Sequence, residues 1–394
     1  MSLTLTYKDD HTLPPLEWHA RSRAWCGEMR AHQPVFYHEE YGWLVFSYQH
    51  VLQVFSDYAT YSSEYEMSPT REQEEGRSII TMDPPRHQQL RSLLTQAMSA
   101  RTIAQMEPRI QQIADELLTR IAERGQVDFM EDLANPLPVI VISELLGLPR
   151  EDWPLFKKWT DAQVQGKAGQ DGSHQMLTAY FFQHVETRRR HPDESLISRL
   201  LSAEVEGKRL TQAELFSFFL TLLVAGNVTT TNLLGNAMLC FHLFPAALAH
   251  LRQHQNLTTS ALEEVLRYMP PSRVLAHDPI GSRLAKRETE LAGQLIRTGE
   301  TVRPIIPSAN FDEQQFASPE VFDIERQPNR HTSFGHGIHF CLGAPLARLE
   351  ARVVLSTMLK RFSQWEILDP EHLPQIDTEL LFGVEHLPMR FHAL

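Results

Sequence analysis

The sequence predicts a mainly α fold: a helix-rich single domain with a minor β region. Three observations predict it. Apolar residues recur at helical spacing along most of the chain, strand signals are few and short, and the residues able to carry chemistry are scattered from 87 to 341, so that one domain must assemble them. Length alone, at 394 residues, would suggest two or three domains. A hydrophobic content of 42% is enough for one large core.

Residues 1–17 are expected to form a flexible N-terminal segment, and they lack the basic-then-apolar order of a signal peptide. Strand signals follow at 35–38 and 43–47, with further short pieces between 284 and 306. Asp83-Pro84-Pro85-Arg86-His87 opens a helix after two prolines, which a first turn tolerates, and places His87 and Arg91 on one face. Residues 101–122 carry Ile103, Met106, Ile110, Ile113, Leu117 and Ile121 at a spacing that makes one buried stripe. An apolar helix is expected over 138–148, closed by Gly147 and Pro149. The most linker-like stretch, 166–173, is too short to divide the chain.

The most unusual helix spans about 215–241. It is apolar on nearly every side, with Phe218, Phe219, Leu222, Leu223, Leu233 and Leu234, and so belongs at the centre of the molecule. Its middle reads Ala225-Gly226-Asn227-Val228-Thr229-Thr230-Thr231. Glycine there costs about 1 kcal/mol relative to alanine. Thr229 can bond back to the Ala225 carbonyl, which bends a helix. Such threonines can be satisfied locally with no further role, or they can line a groove over a ligand. Further on, Glu264 and Arg267 share one helix face, and Pro270-Pro271 ends that helix.

Three cysteines, Cys26, Cys240 and Cys341, are widely spaced and odd in number, which argues against a disulfide framework. A formal charge of −12 disfavours nucleic acid as a partner. No run of about 18 apolar residues occurs, so no membrane span is expected and a cytoplasmic location is.

The densest motif is Phe334-Gly335-His336-Gly337-Ile338-His339-Phe340-Cys341-Leu342-Gly343, followed by a helix-like stretch from Ala344. Its glycines remove side chains and let main chain lie against a flat surface. Cys341 falls just ahead of a helix N-terminus, where orphan N–H groups and the dipole favour an anionic sulfur. A buried structural cysteine and a protease-like nucleophile are alternatives. For the second, His339 is too near in sequence to be an ordinary triad partner. The pattern favours a ligand, and a thiolate in a close-approach loop is what a haem iron with an axial sulfur needs.

This loop, continued by Ala344-Pro345-Leu346-Ala347-Arg348-Leu349-Glu350, resembles the haem loop of the bacterial cytochrome P450 family of haem-thiolate monooxygenases. The resemblance runs from about residue 18 to 391. It implies the cytochrome P450 fold, haem b as cofactor and Cys341 as the metal ligand. Phe334, His339 and Gly343 would join Cys341 around the cofactor. His87, Arg91 and His339 would bind the haem propionates. A further propionate arginine is assigned to Arg283, with Arg273 and His277 as alternatives. Glu264, Arg267 and Arg326 match a structural network beneath the loop. Ala225 and Gly226 match the small pair of the oxygen-binding helix, and Thr229 its proton-relaying hydroxyl.

Val228 departs from that pattern, because it stands where the family has an acid, and Asn227 beside it is no practical acid either. Thr229, Asn227 and Val228 thus form the expected catalytic segment, with its alcohol kept and its acid gone. The implied activity is insertion of one oxygen atom of O2 into an apolar small molecule, by hydroxylation or epoxidation. Electrons would come from a separate ferredoxin or flavodoxin-type donor with its reductase, docking near Arg330, Arg348 and Arg352. The alternatives are a peroxide-driven peroxygenase, which would need no acid, and a non-catalytic haem-based ligand-binding protein. A monomer is expected. Expected pocket walls are 64–80, 222–228, 274–276 and 381–383.

Overall fold

The computed structural model describes residues 13–64, 77–164, 172–273, 281–378 and 380–394. The chain opens with α1 (Pro15–His32), β1 (Val35–His38), β2 (Gly42–Val45), α2 (Tyr48–Ser56) and β3 (Tyr61–Ser62). The helix starting at Pro15 shortens the N-terminal segment expected to be flexible: Pro15, Leu16 and Glu17 are helical. A proline at the first position supplies a preset φ and loses only an N–H that would have no partner there. Residues 1–12 lie outside the described residues.

Next come α3 (Arg86–Ala97), α4 (Ala100–Gln105), α5 (Glu107–Arg124) and β4 (Gln126–Asp128). One helix was expected over 101–122, and two are found. Pro108 cannot donate to the carbonyl at 104, so the first helix stops and the second restarts with proline in its first turn. Within α5 the expected stripe is buried at Ile110, Ile113, Leu117 and Ile121. A π turn over Met130–Ala134 leads into α6 (Pro136–Leu146), which is buried almost all round and ends at Gly147 in the left-handed region.

The chain continues with α7 (Trp153–Val164), α8 (Ser173–Arg190), α9 (Leu196–Ser202), α10 (Gln212–Leu243), α11 (Pro245–Gln253) and α12 (Thr258–Tyr268). Of the linker-like stretch, 166–171 lies outside the described residues; Gly172 precedes α8. After β5 (Arg283–Ala285), β6 (Thr289–Leu291), β7 (Gln294–Ile296), β8 (Thr301–Pro304) and the short α13 (Ile306–Ala309) comes a long irregular segment. It ends at α14 (Ala344–Arg361), β9 (Phe362–Ile367) and β10 (Pro388–Ala393). The largest sheet runs β1-β2-β8-β5-β3, with β2 and β8 parallel and its other neighbours antiparallel.

The central helix is α10. A capping box starts it: the Thr211 side chain accepts from Glu214 N, and the Glu214 carboxylate accepts from Thr211 N at 2.9 Å. By length and composition alone α10 could cross a membrane, although no long apolar run was expected. Here α6, α7, α12 and α14 pack around it, and its apolar side chains join the main core cluster.

A buried ionic knot ties α12 to the irregular segment. Glu264 and Arg267 are both fully buried, and Arg267 Nε and Nη2 each donate to the carboxylate at 2.8 Å. Arg326 Nε reaches the same carboxylate at 3.2 Å, and Asp323 N and Asn329 Nδ2 add donors at 2.9 and 3.1 Å. Arg267 spends its remaining donors on the carbonyls of Asn310, Pro319 and Val321. The three-residue network expected from sequence is therefore assembled. Removing one partner leaves an uncompensated buried charge, so Glu264→Ala is expected to cost about 3–5 kcal/mol, read from denaturant midpoints.

A second buried polar group sets an acid limit. His19 Nε2 meets the Tyr268 carbonyl at 2.8 Å, and burial, then Arg23, holds the imidazole pKa down at about 3. The unfolded chain, near 6.5, therefore binds the proton first as pH falls. Stability is expected to decline from pH 6.5 downward toward 3, by up to about 1.4 kcal/mol per pH unit from this group, and His19→Gln flattens that slope in acid denaturation curves.

Candidate active site

A cavity of about 330 Å³ lies between α10 and the segment that carries Cys341 into α14. Its walls are mostly apolar: Ile79, Ile80 and Met98 on one side, Ile142, Phe218 and Leu222 on another. Cys341 opens onto it. The loop is shaped by two left-handed glycines, Gly335 at φ 71° and Gly337 at φ 70°. A Cβ on Gly337 would stand 2.5 Å from the Phe55 carbonyl oxygen, so α2 packs against bare backbone there. Gly343, at φ −80°, needs no such freedom; an added Cβ would sit in ordinary contact, 3.9 Å from the Cys341 sulfur. Cys341 N donates to the Phe334 carbonyl at 2.9 Å, which closes the loop, and α14 begins three residues later.

Burial pushes the Cys341 thiol pKa up. Against it act the N–H groups of Gly343 and Ala344, which donate to the sulfur, and the charges of Arg91 and Arg348. Donors aimed at the sulfur from a helix N-terminus are the feature that the sequence spacing implied.

Beside the thiol stands a group of histidine and arginine side chains. The His87 and His339 rings lie 4.3 Å apart, and the buried Nε2 atom of each has no hydrogen-bond partner. Burial, then Arg91, lowers the His87 pKa to about 4, while burial, then His87 and Arg283, lowers that of His339 to about 3. Both rings are thus neutral at pH 7 and can each present an N–H donor. Arg91 donates to the Phe340 carbonyl and also lines the cavity. Arg283, on β5, stacks over Phe55 at 5.2 Å and donates to the Ser282 carbonyl. Arg273 turns elsewhere: it donates to the Leu381 carbonyl and Gln375, and it stacks on Trp18. His277 lies outside the described residues.

Opposite the loop, α10 shows the cavity Thr221, Leu222, Ala225, Gly226, Thr229, Thr230 and Leu233. Thr229 Oγ1 donates to the Ala225 carbonyl at 2.7 Å, as the sequence suggested, and the helix stays continuous. Asn227 and Val228 do not line the cavity, which corrects their expected place in a catalytic segment. At about 100° per residue the stripe 225, 226, 229, 230 leaves both on other sides of the helix. Asn227 is buried, with Oδ1 accepting from Thr231 at 3.4 Å, and Val228 offers only its carbonyl, to Asn232.

The expected docking cations are also partly reassigned. Arg348 makes a double contact with Glu263 at 2.7 Å and stacks on Phe334 at 4.4 Å, and Arg352 pairs with Glu107 at 2.9 Å. Of the expected pocket walls, Ile79, Ile80, Leu222, Ala225, Gly226 and Leu381 line the cavity, whereas 65–76 and 274–276 lie outside the described residues. Sequence reasoning missed Glu350, a cavity-lining carboxyl on α14. Its spacing with Gly343, Leu346 and Ala347 could have found it, because these four share one helical face.

A thiol presented by a glycine-shaped loop, a central helix with paired hydroxyls and unpaired buried imidazoles beside arginine define a haem-binding oxygenase site. The comparisons agree. The cytochrome P450 family model matches residues 35–149 and 142–392. Cytochrome P450 109 of Bacillus spizizenii is 39% identical, over 88% of this chain and 86% of its own length. Cyclomarin C epoxidase CymV of Salinispora arenicola is also 39% identical, over 87% and 89%. The solved structure of CYP109E1 from Bacillus megaterium in complex with testosterone superposes with a TM-score of 0.85 at 38% identity, covering 93% of this chain and 98% of that one. The chain belongs to the cytochrome P450 family; it is a monooxygenase whose cofactor is haem b.

The two loop glycines differ in a testable way. Gly335→Ala meets nothing nearer than 3.8 Å and carries only the left-handed backbone penalty, about 1–2 kcal/mol. Gly337→Ala adds a clash with the Phe55 backbone. Thermal denaturation of the two variants is expected to rank Gly337→Ala clearly lower, with faster labelling of Cys341 by a thiol reagent.

Proposed function

We propose that this protein inserts one oxygen atom of O2 into an apolar small molecule, by hydroxylation or epoxidation, and that Cys341 would hold the iron of haem b. Bound haem b supplies the binding and reductive activation of dioxygen. The observation that carries the assignment is the pair of orphaned Nε2 atoms on His87 and His339, beside Arg91, on the same cavity as the Cys341 sulfur. Buried polar atoms without partners call for a ligand, and two neutral imidazole donors with arginines suit two propionates. His87, Arg91, Arg283 and His339 would hold them. Ala225, Gly226, Phe334 and Gly343 would flank the ring, since small side chains and one aromatic leave room for a flat group. Thr229 would pass protons, taking one on its lone pair while giving its own.

The apolar walls support an apolar substrate, as does one relative, CYP109E1 from Bacillus megaterium, whose structure was solved in complex with testosterone and with corticosterone. Electrons would come from a separate ferredoxin or flavodoxin-type donor with its reductase. Arg330 remains the docking candidate whose side chain the internal pairs above do not use, since Arg348 and Arg352 bind Glu263 and Glu107. We further read the chain as one domain, monomeric and cytoplasmic. A peroxide-driven reaction is the second reading, favoured by α10, which shows the cavity hydroxyls but no carboxyl.

The test is spectroscopic first. Ferrous protein with carbon monoxide is expected to show the absorption of a thiolate-ligated haem, and Cys341→Ser is expected to lose it while remaining folded. His87→Ala and Arg91→Ala each weaken haem retention at least about tenfold, the worth of one charge-assisted hydrogen bond. A screen of apolar compounds for displacement of the haem water would then identify ligands. Comparing their turnover with reductase against turnover with peroxide decides between the two readings; product formed with peroxide alone would overturn the first.

A further inference from the structure

The side chains assigned to the propionates come from segments far apart in sequence, and one buried carboxylate joins two of those segments. Asp83 is 4% exposed and stands just ahead of α3, which carries His87 and Arg91. Its carboxylate accepts from Ser62 Oγ on β3 at 2.6 Å and from Ser63 N at 3.0 Å. Its carbonyl accepts from His87 N at 3.1 Å. Lys286 Nζ meets the same carboxylate at 2.7 Å. Lys286 directly follows β5, whose first residue is Arg283, and its own N–H donates to the Thr60 carbonyl at 2.8 Å. The strands β3 and β5 pair here, with Ser62 opposite Leu284. The Asp83–Lys286 pair thus fastens the start of the helix that bears His87 and Arg91 to the strand that bears Arg283.

The pair also settles a charge. Burial works to raise the Asp83 carboxyl, yet Lys286, Ser62 and Ser63 together bring its pKa below the ordinary value, so it is an anion at pH 7. That anion is felt across the site. Burial lowers the pKa of His87 and of His339, and the charge of Asp83 acts against it at both rings. A carboxylate so placed, if left alone, would repel the two propionates that the same rings and arginines attract, because like charges interact strongly where water is scarce. Lys286 cancels it from outside: its side chain is 39% exposed and does not line the cavity. Glu64, which accepts from Asp83 N at 3.3 Å, has its own cation in Arg77 at 3.6 Å.

We propose that Lys286 is a positioning residue for haem b, which keeps the propionate side of the site open to two negative charges by neutralising Asp83 and tying it to β5. The inference rests on the assignment of His87, Arg91, Arg283 and His339 to the propionates. Removing Lys286 alone leaves an uncompensated carboxylate beside them. Removing both charges takes away the repulsion together with the tie. The single loss is therefore worse than the double loss, an order that a purely structural link does not produce.

The test follows haem loss from the loaded protein to excess apomyoglobin, in the wild type, Lys286→Met, Asp83→Asn and the double variant. Loss is expected to be at least about tenfold faster in Lys286→Met, less than a fully buried charge gives because solvent screens part of it. Adding Asp83→Asn to Lys286→Met recovers most of that difference, and Lys286→Arg stays near the wild type. With haem b dimethyl ester, whose propionate charges are blocked, Lys286→Met and the wild type are expected to lose the group at the same rate. A variant that merely folds badly would lose both forms faster. The carbon monoxide spectrum of each loaded variant reports on Cys341 separately. A double variant that loses haem as fast as Lys286→Met, or an undiminished effect of Lys286→Met on the ester, refutes the proposal. Equal retention of haem b and its ester by the wild type would strike the propionate assignment itself, and this proposal with it.

Discussion

The position of the cysteine loop depends on a charge buried elsewhere. Glu264 receives two donors from Arg267, and others from Arg326, Asp323 and Asn329, with no exposure to water. Because Arg267 also donates to Asn310, Pro319 and Val321, the knot fixes the irregular segment rather than α12 alone. Asn310 passes the constraint on: its carbonyl oxygen Oδ1 accepts from Thr332 N at 2.7 Å and its amide donates to Ser333 at 2.8 Å. Ser333 Oγ in turn donates back to the Leu266 carbonyl on α12 at 2.6 Å. The residue that follows is Phe334, whose carbonyl holds Cys341 N. A chain of specific hydrogen bonds therefore runs from a buried ion pair to the sulfur. An apolar core could have stabilised this region equally well, but it would not have set the register of an irregular segment.

Glu263, one residue earlier, supports the loop from its other side. Burial alone would raise its carboxyl, yet Arg348 and His331 bring it down to about 2. Arg348 belongs to α14 and covers the Phe334 ring, so the first turns of α14 and the start of the loop are fastened to the same point of α12. Adjacent acids on one helix thus face two different partners, one network for the segment before the loop and one for the helix after it.

Local spacing made the first of these networks legible. Glu264 and Arg267 lie three apart, and glycines recur through a ten-residue loop, so geometry follows from the chain itself. The pairs that sequence reading missed are long-range. Nothing near Arg348 or Arg352 announces Glu263 or Glu107 as a partner, and both read as free surface cations until the fold brings them together. Asn227 and Val228 failed for another reason. They were placed by their order beside Thr229, whereas function on a helix follows angle, and the angle sends them away from the cavity. The break of the expected long helix at Met106 was visible in principle, since Pro108 cannot continue a hydrogen-bond ladder. Glu350 was masked by resemblance to an ordinary charged helix position, where burial is rare unless the group is paired or neutral.

One dielectric effect explains the charge state of the whole cavity. Burial disfavours the charged form of every group, so it lowers His87 and His339 and raises Cys341 and Glu350, with opposite signs and a common outcome. Burial thus works toward the neutral form of all four in the protein without its cofactor, with the guanidinium groups of Arg91 and Arg283 beside them. Haem b completes the balance under the proposed assignment. Its two propionates would face Arg91 and Arg283, and a Cys341 thiolate would compensate the positive charge of the ferric ring. A bound metal inverts the local pKa logic for its ligand, so under that assignment the Cys341 thiol, which burial raises, would become the anion. Glu350 has no counter-charge in that account, and this is the reason it keeps its proton when every other group around it has found a partner.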